Sequence, residues 1–204
     1  MTDFRFDEEK HEYFVDGVRW PGINELFKEQ GLVDTTWYKP EHSQRGKAVH
    51  LMCALHDLNQ LEEILNNPQP DKDTDYRPFL SLAWPYLPGW TKFLAETGFK
   101  PEIIERPGYV EPHRFCGTLD RAGKLLGSPA IVEIKTGAPH WAVRLQTAGH
   151  YLLTSMQYPR RFVVQLKPDG TYKLHPEIPL ENLERDCEEL ISMVRTHWLR
   201  REGK

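Results

Sequence analysis

The spacing of apolar and polar positions changes several times along the chain, and each change predicts an element. Over residues 4–20, Tyr13, Val15 and Val18 alternate with polar residues around Asp16-Gly17, a dipeptide favoured in two-residue turns. This predicts an N-terminal β-hairpin. Pro21 then opens a short helix, INELFKEQ, which Gly31 stops. Residues 32–42 show no pattern. Ser43 is an N-cap candidate for a helix over 44–58, in which Val49, Met52, Cys53 and Leu55 recur at helical spacing. Residues 59–78 turn polar and predict a surface loop. Helical spacing returns over 79–97, with Pro85 and Pro88 breaking the helix in two and Gly98 ending it.

From Pro101 onward the pattern is that of strands. Strands are predicted over 102–105, 114–126 and 130–135, with Gly127-Ser128-Pro129 as the turn between the last two. A helix over 140–156, a strand over 161–166, a turn over 167–170, a strand over 171–175 and a helix over 180–200 complete the chain. The order α, β-β-β, α, β-β, α predicts an α/β fold with a central mixed β-sheet flanked by α-helices on both faces. The expected organisation is one domain over 1–204. It has an N-terminal hairpin and helix (1–42), a core (43–166) and a C-terminal strand and helix (167–204).

Composition narrows the function classes. With 204 residues, 39% of them hydrophobic and 27% charged, the chain suits a globular domain with a sizeable core. No apolar run approaches the ~20 residues of a membrane span, and MTDFRFDEEK is too charged for a signal-peptide core. No membrane association and a cytoplasmic location are therefore expected. Cys53, Cys116 and Cys187 are far apart and form no CxxC pair, which argues against zinc ribbons, iron–sulfur clusters and disulfides. The net charge of −4 does not announce a nucleic-acid binder, but residues 101–170 carry nine Lys/Arg against six Asp/Glu. A locally basic surface is compatible with that segment.

The chemistry is concentrated in GTLDRAGKLLGSPAIVEIKTG, residues 117–137. Alternation along the second strand sends Glu133 and Lys135 to one face and Val132 and Ile134 to the other. A carboxylate and an ammonium on a central strand must be paired or must bind something, because uncompensated burial is costly. Asp120 on the neighbouring strand supplies a second carboxylate. On the triplet alone, the commoner arrangement is a buried carboxylate–Lys ion pair that ties two strands together. Two carboxylates with open water positions also suit Mg²⁺. Such a centre can hydrolyse a phosphodiester through a metal-bound water, with Lys135 orienting that water or stabilising phosphate charge.

GTLD followed thirteen residues later by EIKTG resembles the PD-(D/E)XK nuclease superfamily, and within it the RecB-type and lambda-exonuclease-like branch. The matching positions are Asp120, Glu133, Lys135 and Gly137. RGKAVHLMCALHD is similar to the branch's upstream helix, with His50 as its metal-ligand histidine. IIERPGYV places Glu105 twelve residues before Gly117, where the branch carries an acid near the metal or the attacking water. VRLQTAGHYLL supplies the Gln of the following helix as Gln146. The branch's Tyr falls about four residues on, yet that position is His150, and Tyr151 comes one later on a rotated face.

The resemblance covers roughly residues 43–166 and implies a restriction-endonuclease-like core. It implies Mg²⁺ or Mn²⁺ held by His50, Asp120, Glu133 and the backbone carbonyl of Ile134, with imidazole favouring Mn²⁺. Lys135, Glu133, Asp120, Glu105 and Gln146 would carry catalysis, and Arg45, Lys47, Arg144 and Tyr151 would contact DNA. The implied activity is exonucleolytic resection of linear duplex ends for recombination, as phage or prophage members do, in the host cytoplasm. A single-strand annealing protein is the implied partner, and some members form rings. Endonucleolytic or structure-specific cleavage, and a non-catalytic nucleic-acid-binding role on the same fold, are the alternatives. No GxxxxGK[ST] loop is present, so the chain does not supply ATP-driven unwinding.

Overall fold

The structure is a computed structural model that describes residues 2–33, 40–66 and 77–203. The N-terminal region is a three-stranded antiparallel sheet of β1 (Phe4–Asp7), β2 (Glu12–Val15) and β3 (Val18–Trp20). Asp16 and Gly17 take left-handed backbone (φ 50° and 75°), as the predicted turn requires. Helix α1 (Ile23–Glu29) follows. The second helix, α2, spans Pro40–Asp57, so Ser43 lies inside it. Pro40, the first described residue of this helix, is suited to a first helical position. Of the unpatterned stretch 32–42, residues 34–39 lie outside the described residues.

The predicted loop over 59–78 is partly helical: α3 (Leu61–Asn66) buries Leu61, and α4 (Arg77–Leu80) buries Leu80. Residues 67–76 lie outside the described residues. The prolines divide 79–97 as expected, into a 3-10 turn at Trp84–Tyr86 and α5 (Leu87–Thr97), which ends at left-handed Gly98 (φ 64°).

The main sheet has five strands in the order β4 (Lys100–Val110), β5 (Phe115–Leu125), β6 (Ser128–Lys135), β7 (Arg160–Leu166) and β8 (Tyr172–Leu174). All pairs are antiparallel except β6–β7, which are parallel and joined through α6 (Val143–Leu153). That parallel step needs a crossover helix, and α6 provides it. β4 is much longer than predicted and runs through Pro101 and Pro107. It can do so because it is an edge strand, where a missing N–H breaks no interior ladder. The β5–β6 turn is Leu126-Gly127, both left-handed (φ 51° and 79°), and Pro129 lies in β6 opposite Lys124. The prediction of Gly127-Ser128-Pro129 as the turn is thereby corrected. The last helix, α7, spans Leu183–Glu202.

Helices cover both faces of the sheet. Val132 and Ile134 of β6, with Phe162 and Val164 of β7, pack against α2 and α5 through Val49, Met52, Trp90 and Phe93. On the opposite face, Phe115 packs with Ile23 and Leu26 of α1, Leu145 of α6 and Leu190 of α7. Gly117 allows this close approach: a Cβ there would lie 2.8 Å from Ile23 Cδ1 and 3.0 Å from Leu153 Cδ1. The first residue of the GTLD motif is thus a packing glycine. All three cysteines are free and buried. Among the described residues, no helix is long and apolar enough to cross a membrane.

Candidate metal centre

The centre forms where the sheet loses its regularity. Pairing between β5 and β6 stops at Arg121–Val132, and beyond it the strands splay. The Asp120 carboxylate fills the gap, with Oδ2 accepting the Ile134 N–H at 2.9 Å. On the other side of β5, the pairs Ile104–Arg121 and Arg106–Leu119 flank Glu105, which faces Asp120. Glu105 is left-handed (φ 41°), a conformation that costs a non-glycine residue on the order of 1 kcal/mol or more. Strict alternation breaks here. Asp120 and Arg121, adjacent in sequence, both turn toward α2, where they meet His50 and Asp57.

His50, Glu105 and Asp120 converge, with one ligand atom of each within 4.8 Å of the others. His50 Nδ1 lies 3.0 Å from Glu105 Oε1 and 3.5 Å from Asp120 Oδ1, and Nε2 lies 3.2 Å from the Ile134 carbonyl. The four groups arrive from α2, β4, β5 and β6. Burial alone would push the His50 pKa down, but Asp120 and then Glu105 raise it to about 9. Asp120 is raised to about 7, first by burial and then by Glu133. Glu105 is held below the usual carboxylate range despite its burial, by His50 and then Arg121.

Glu133 stands just outside this triad. It shares the α6 face with Lys135, as alternation predicts. Its Oε1 accepts from Lys135 Nζ at 2.7 Å, and the same ammonium donates to Gln146 Oε1 at 3.0 Å. Oε2 lies 3.3 Å from His150 Nδ1, yet neither of these two buried atoms has a properly aligned hydrogen bond. Burial disfavours the Glu133 carboxylate, but Lys135 and then His150 outweigh it and hold its pKa far below the ordinary range. The metal-ligand set expected from the sequence therefore divides: the structure clusters Glu105 with His50 and Asp120, and gives Glu133 to Lys135.

The expected DNA contacts fare differently from one another. Lys47 is exposed on α2 and Arg45 is half-buried on it. Arg144 is engaged by α7, donating to Asp186 and, at 2.6 Å, to Glu189. Tyr151 packs among Leu119, Ala122, Ile131 and Tyr158 and against Leu183 and Cys187. At the helical position expected for the Tyr, the structure places His150 beside Glu133.

Sequence reasoning missed a buried chain beneath Glu105. Arg121 donates from Nη1 to Glu105 Oε1 (2.8 Å) and the Asp120 carbonyl (2.7 Å), and from Nε to Asp57 Oδ2 (2.7 Å). Trp90 Nε1 donates to Asp57 Oδ1 at 2.8 Å. The side chains of both Arg121 and Asp57 are fully buried. The available signal was spacing: Asp57 lies seven residues after His50, hence on the same helical face.

No protein-family model and no curated protein matches the chain. A solved structure described as "Crystal structure of SSO0001" aligns with 14% identity over 84% of each chain at a TM-score of 0.31, a likeness too low to carry an argument.

Proposed function

We propose that the chain is a metal-dependent deoxyribonuclease on a restriction-endonuclease-like core of the PD-(D/E)XK type, and that it resects linear duplex ends. The observation that carries this reading is the juxtaposition of two sets at the splayed β5–β6 end. One is His50, Glu105, Asp120 and the Ile134 carbonyl, and the other is Glu133, Lys135 and Gln146. A donor set of carboxylates, one carbonyl and one imidazole suits Mg²⁺ or Mn²⁺. Glu133 Oε2, buried without a hydrogen-bond partner, offers one further oxygen. A divalent cation held there polarises a scissile phosphate and lowers the pKa of a bound water.

The chain's own residues account for the rest. Asp120, fixed by the Ile134 N–H, and Glu105, fixed by Arg121, present oxygens in set positions. Glu133 and Gln146 hold the Lys135 ammonium at the edge of the cluster, where it can orient a water and balance charge developing on the phosphate. Its half-exposed position leaves it accessible to substrate.

The test incubates linear and circular duplex DNA with Mg²⁺ or Mn²⁺. Loss of linear DNA alone marks an exonuclease, whereas cleavage of circles marks an endonuclease. Lys135→Ala should lower the rate about 10²–10³-fold in protein that is still folded at the assay temperature, although it loses stability because the buried Glu133 carboxylate is left without its ammonium. Undiminished cleavage by Lys135→Ala refutes the proposal.

A further inference from the structure

The β1–β2 turn carries an exposed histidine whose ring is fixed. His11 has left-handed backbone (φ 53°). Phe6 and Tyr13 meet the ring edge-on, at centroid distances of 5.2 and 5.4 Å and interplanar angles of 87° and 77°. Its Nε2 lies 3.0 Å from the Tyr13 hydroxyl, which lies 3.0 Å from Thr118 Oγ1. Tyr13 is buried, and burial first of all pushes its pKa up to about 12, so it keeps its proton.

The direction in which that proton is donated sets the tautomer. Donated to Nε2, it leaves the Tyr13 oxygen to accept from the Thr118 hydroxyl, and all three groups are satisfied in one direction. In that direction His11 carries its own proton on Nδ1, on a residue exposed to solvent. The chain then ends in an N–H donor on the ring of an exposed residue, held on two sides by Phe6 and Tyr13.

The anchor places this donor on the face of β5 that carries Asp120. Cys116, Thr118 and Asp120 share one face of β5. Cys116 packs on Tyr13, Val15 and Trp20, Thr118 meets the Tyr13 hydroxyl, and Asp120 reaches His50. Thr118 and Asp120 are two strand residues apart, about 7 Å. Lys47, three residues before His50 on α2, lies within electrostatic range of the same ring. Burial, then Lys47 and Lys28, lower the His11 pKa, while Glu105 and Glu8 raise it. A neutral N–H donor set among lysines at the rim of the cluster suits a phosphate oxygen.

We propose that His11 is a substrate-positioning residue whose Nδ1–H holds a non-bridging oxygen of the phosphodiester next to the scissile one, with Lys47 supplying charge at the same phosphate. This rests on the nuclease reading above. It assigns the N-terminal sheet a direct part in substrate recognition.

The test uses the full chain and the variants His11→Ala, Tyr13→Phe and Lys47→Ala. Binding of a fluorescein-labelled duplex end is read by anisotropy in Ca²⁺, and cleavage under single turnover in Mg²⁺. His11→Ala should raise Kd and lower the cleavage rate about tenfold, the scale of a hydrogen bond to a charged group. The dependence of its Kd on salt should be unchanged, because a neutral donor releases no counterion, whereas Lys47→Ala should flatten that slope by about 1. Tyr13→Phe, which frees the tautomer, should fall between wild type and His11→Ala.

On a duplex with one uncharged methylphosphonate beside the scissile position, His11→Ala and wild type should become equal. Wild-type Kd for His11→Ala on native DNA, or the same tenfold loss on the methylphosphonate duplex, overturns the positioning role alone. A wild type that binds but does not cleave overturns the nuclease reading, and the Kd comparison still decides the role of His11. A wild type that neither binds nor cleaves overturns both.

Discussion

Raising the pH from 7 to 9 should strengthen divalent-metal binding about a hundredfold, and His50 is the reason. Its two ring nitrogens face the Glu105 carboxylate and the Ile134 carbonyl, groups that only accept. Both nitrogens must therefore carry protons, and the ring is an imidazolium in the metal-free protein. Burial opposes that charge, but Asp120 and Glu105 outweigh it and raise the pKa from 6.5 to about 9. In effect the proton occupies the place of the cation. A metal that uses His50 must displace it, so apparent affinity climbs tenfold per pH unit until about pH 9. Two units at 1.36 kcal/mol each amount to about 2.7 kcal/mol.

Linkage fixes the sign. A raised folded-state pKa stabilises the metal-free fold fully below 6.5, and that contribution fades as pH rises through about 9. Asp120, raised to about 7, acts in the same direction at lower pH. The gap in melting temperature between Mn²⁺ and EDTA should therefore widen with pH. Calorimetric titration with Mn²⁺ in two buffers of different ionisation enthalpy counts the protons released. About one is expected at pH 8, rising toward two near pH 6 as Asp120 joins. His50→Gln, which keeps an oxygen donor but cannot titrate, should bind more weakly and lose the His50 share of that slope, keeping only the contribution of Asp120. A wild type that releases no proton at pH 8, or a His50→Gln variant with the same slope, would refute the reasoning.

The remaining predictions concern stability. Arg121→Met should destabilise the fold by about 3–5 kcal/mol in urea, because it strands the buried Asp57 carboxylate and leaves Glu105 without its inner partner. A loss below about 1 kcal/mol would show that water replaces the guanidinium. Gly123→Ala should cost at least about 1–3 kcal/mol, since the new Cβ would lie 2.0 Å from the Lys100 carbonyl oxygen. That oxygen belongs to the paired backbone of β4, so no side chain can rotate aside. An unchanged melting curve would mean that the strand pair is looser than the register implies.

Much of the architecture was legible because it depends on local periodicity. Alternation placed Glu133 with Lys135 and opposed them to Val132 and Ile134. The Asp16-Gly17 turn and the proline-divided helix followed from backbone preferences of single residues. Errors gathered where a distant partner decides. β4 runs through two prolines because it is an edge strand, and no local pattern says which strand will be an edge. Leu61, buried against the core, turned part of an expected loop helical.

The site divides in the same way. The sequence by itself determined which chemistry was on hand: His50, Glu105, Asp120, Glu133, Lys135 and Gln146, in an order that resembles a nuclease family. Only the tertiary structure decided how they are shared out. The break in alternation at Glu105 and Asp120–Arg121 sends consecutive residues toward one helix, and the splay of β5 from β6 lets a carboxylate take a ladder hydrogen bond. Glu105 rather than Glu133 thereby joins His50, Arg121 and Asp57 form the support beneath it, and His150 comes to lie beside Glu133. Sequence spacing records which face a residue occupies only while a strand stays regular. At this centre the strands depart from regularity, so long-range packing sets the geometry.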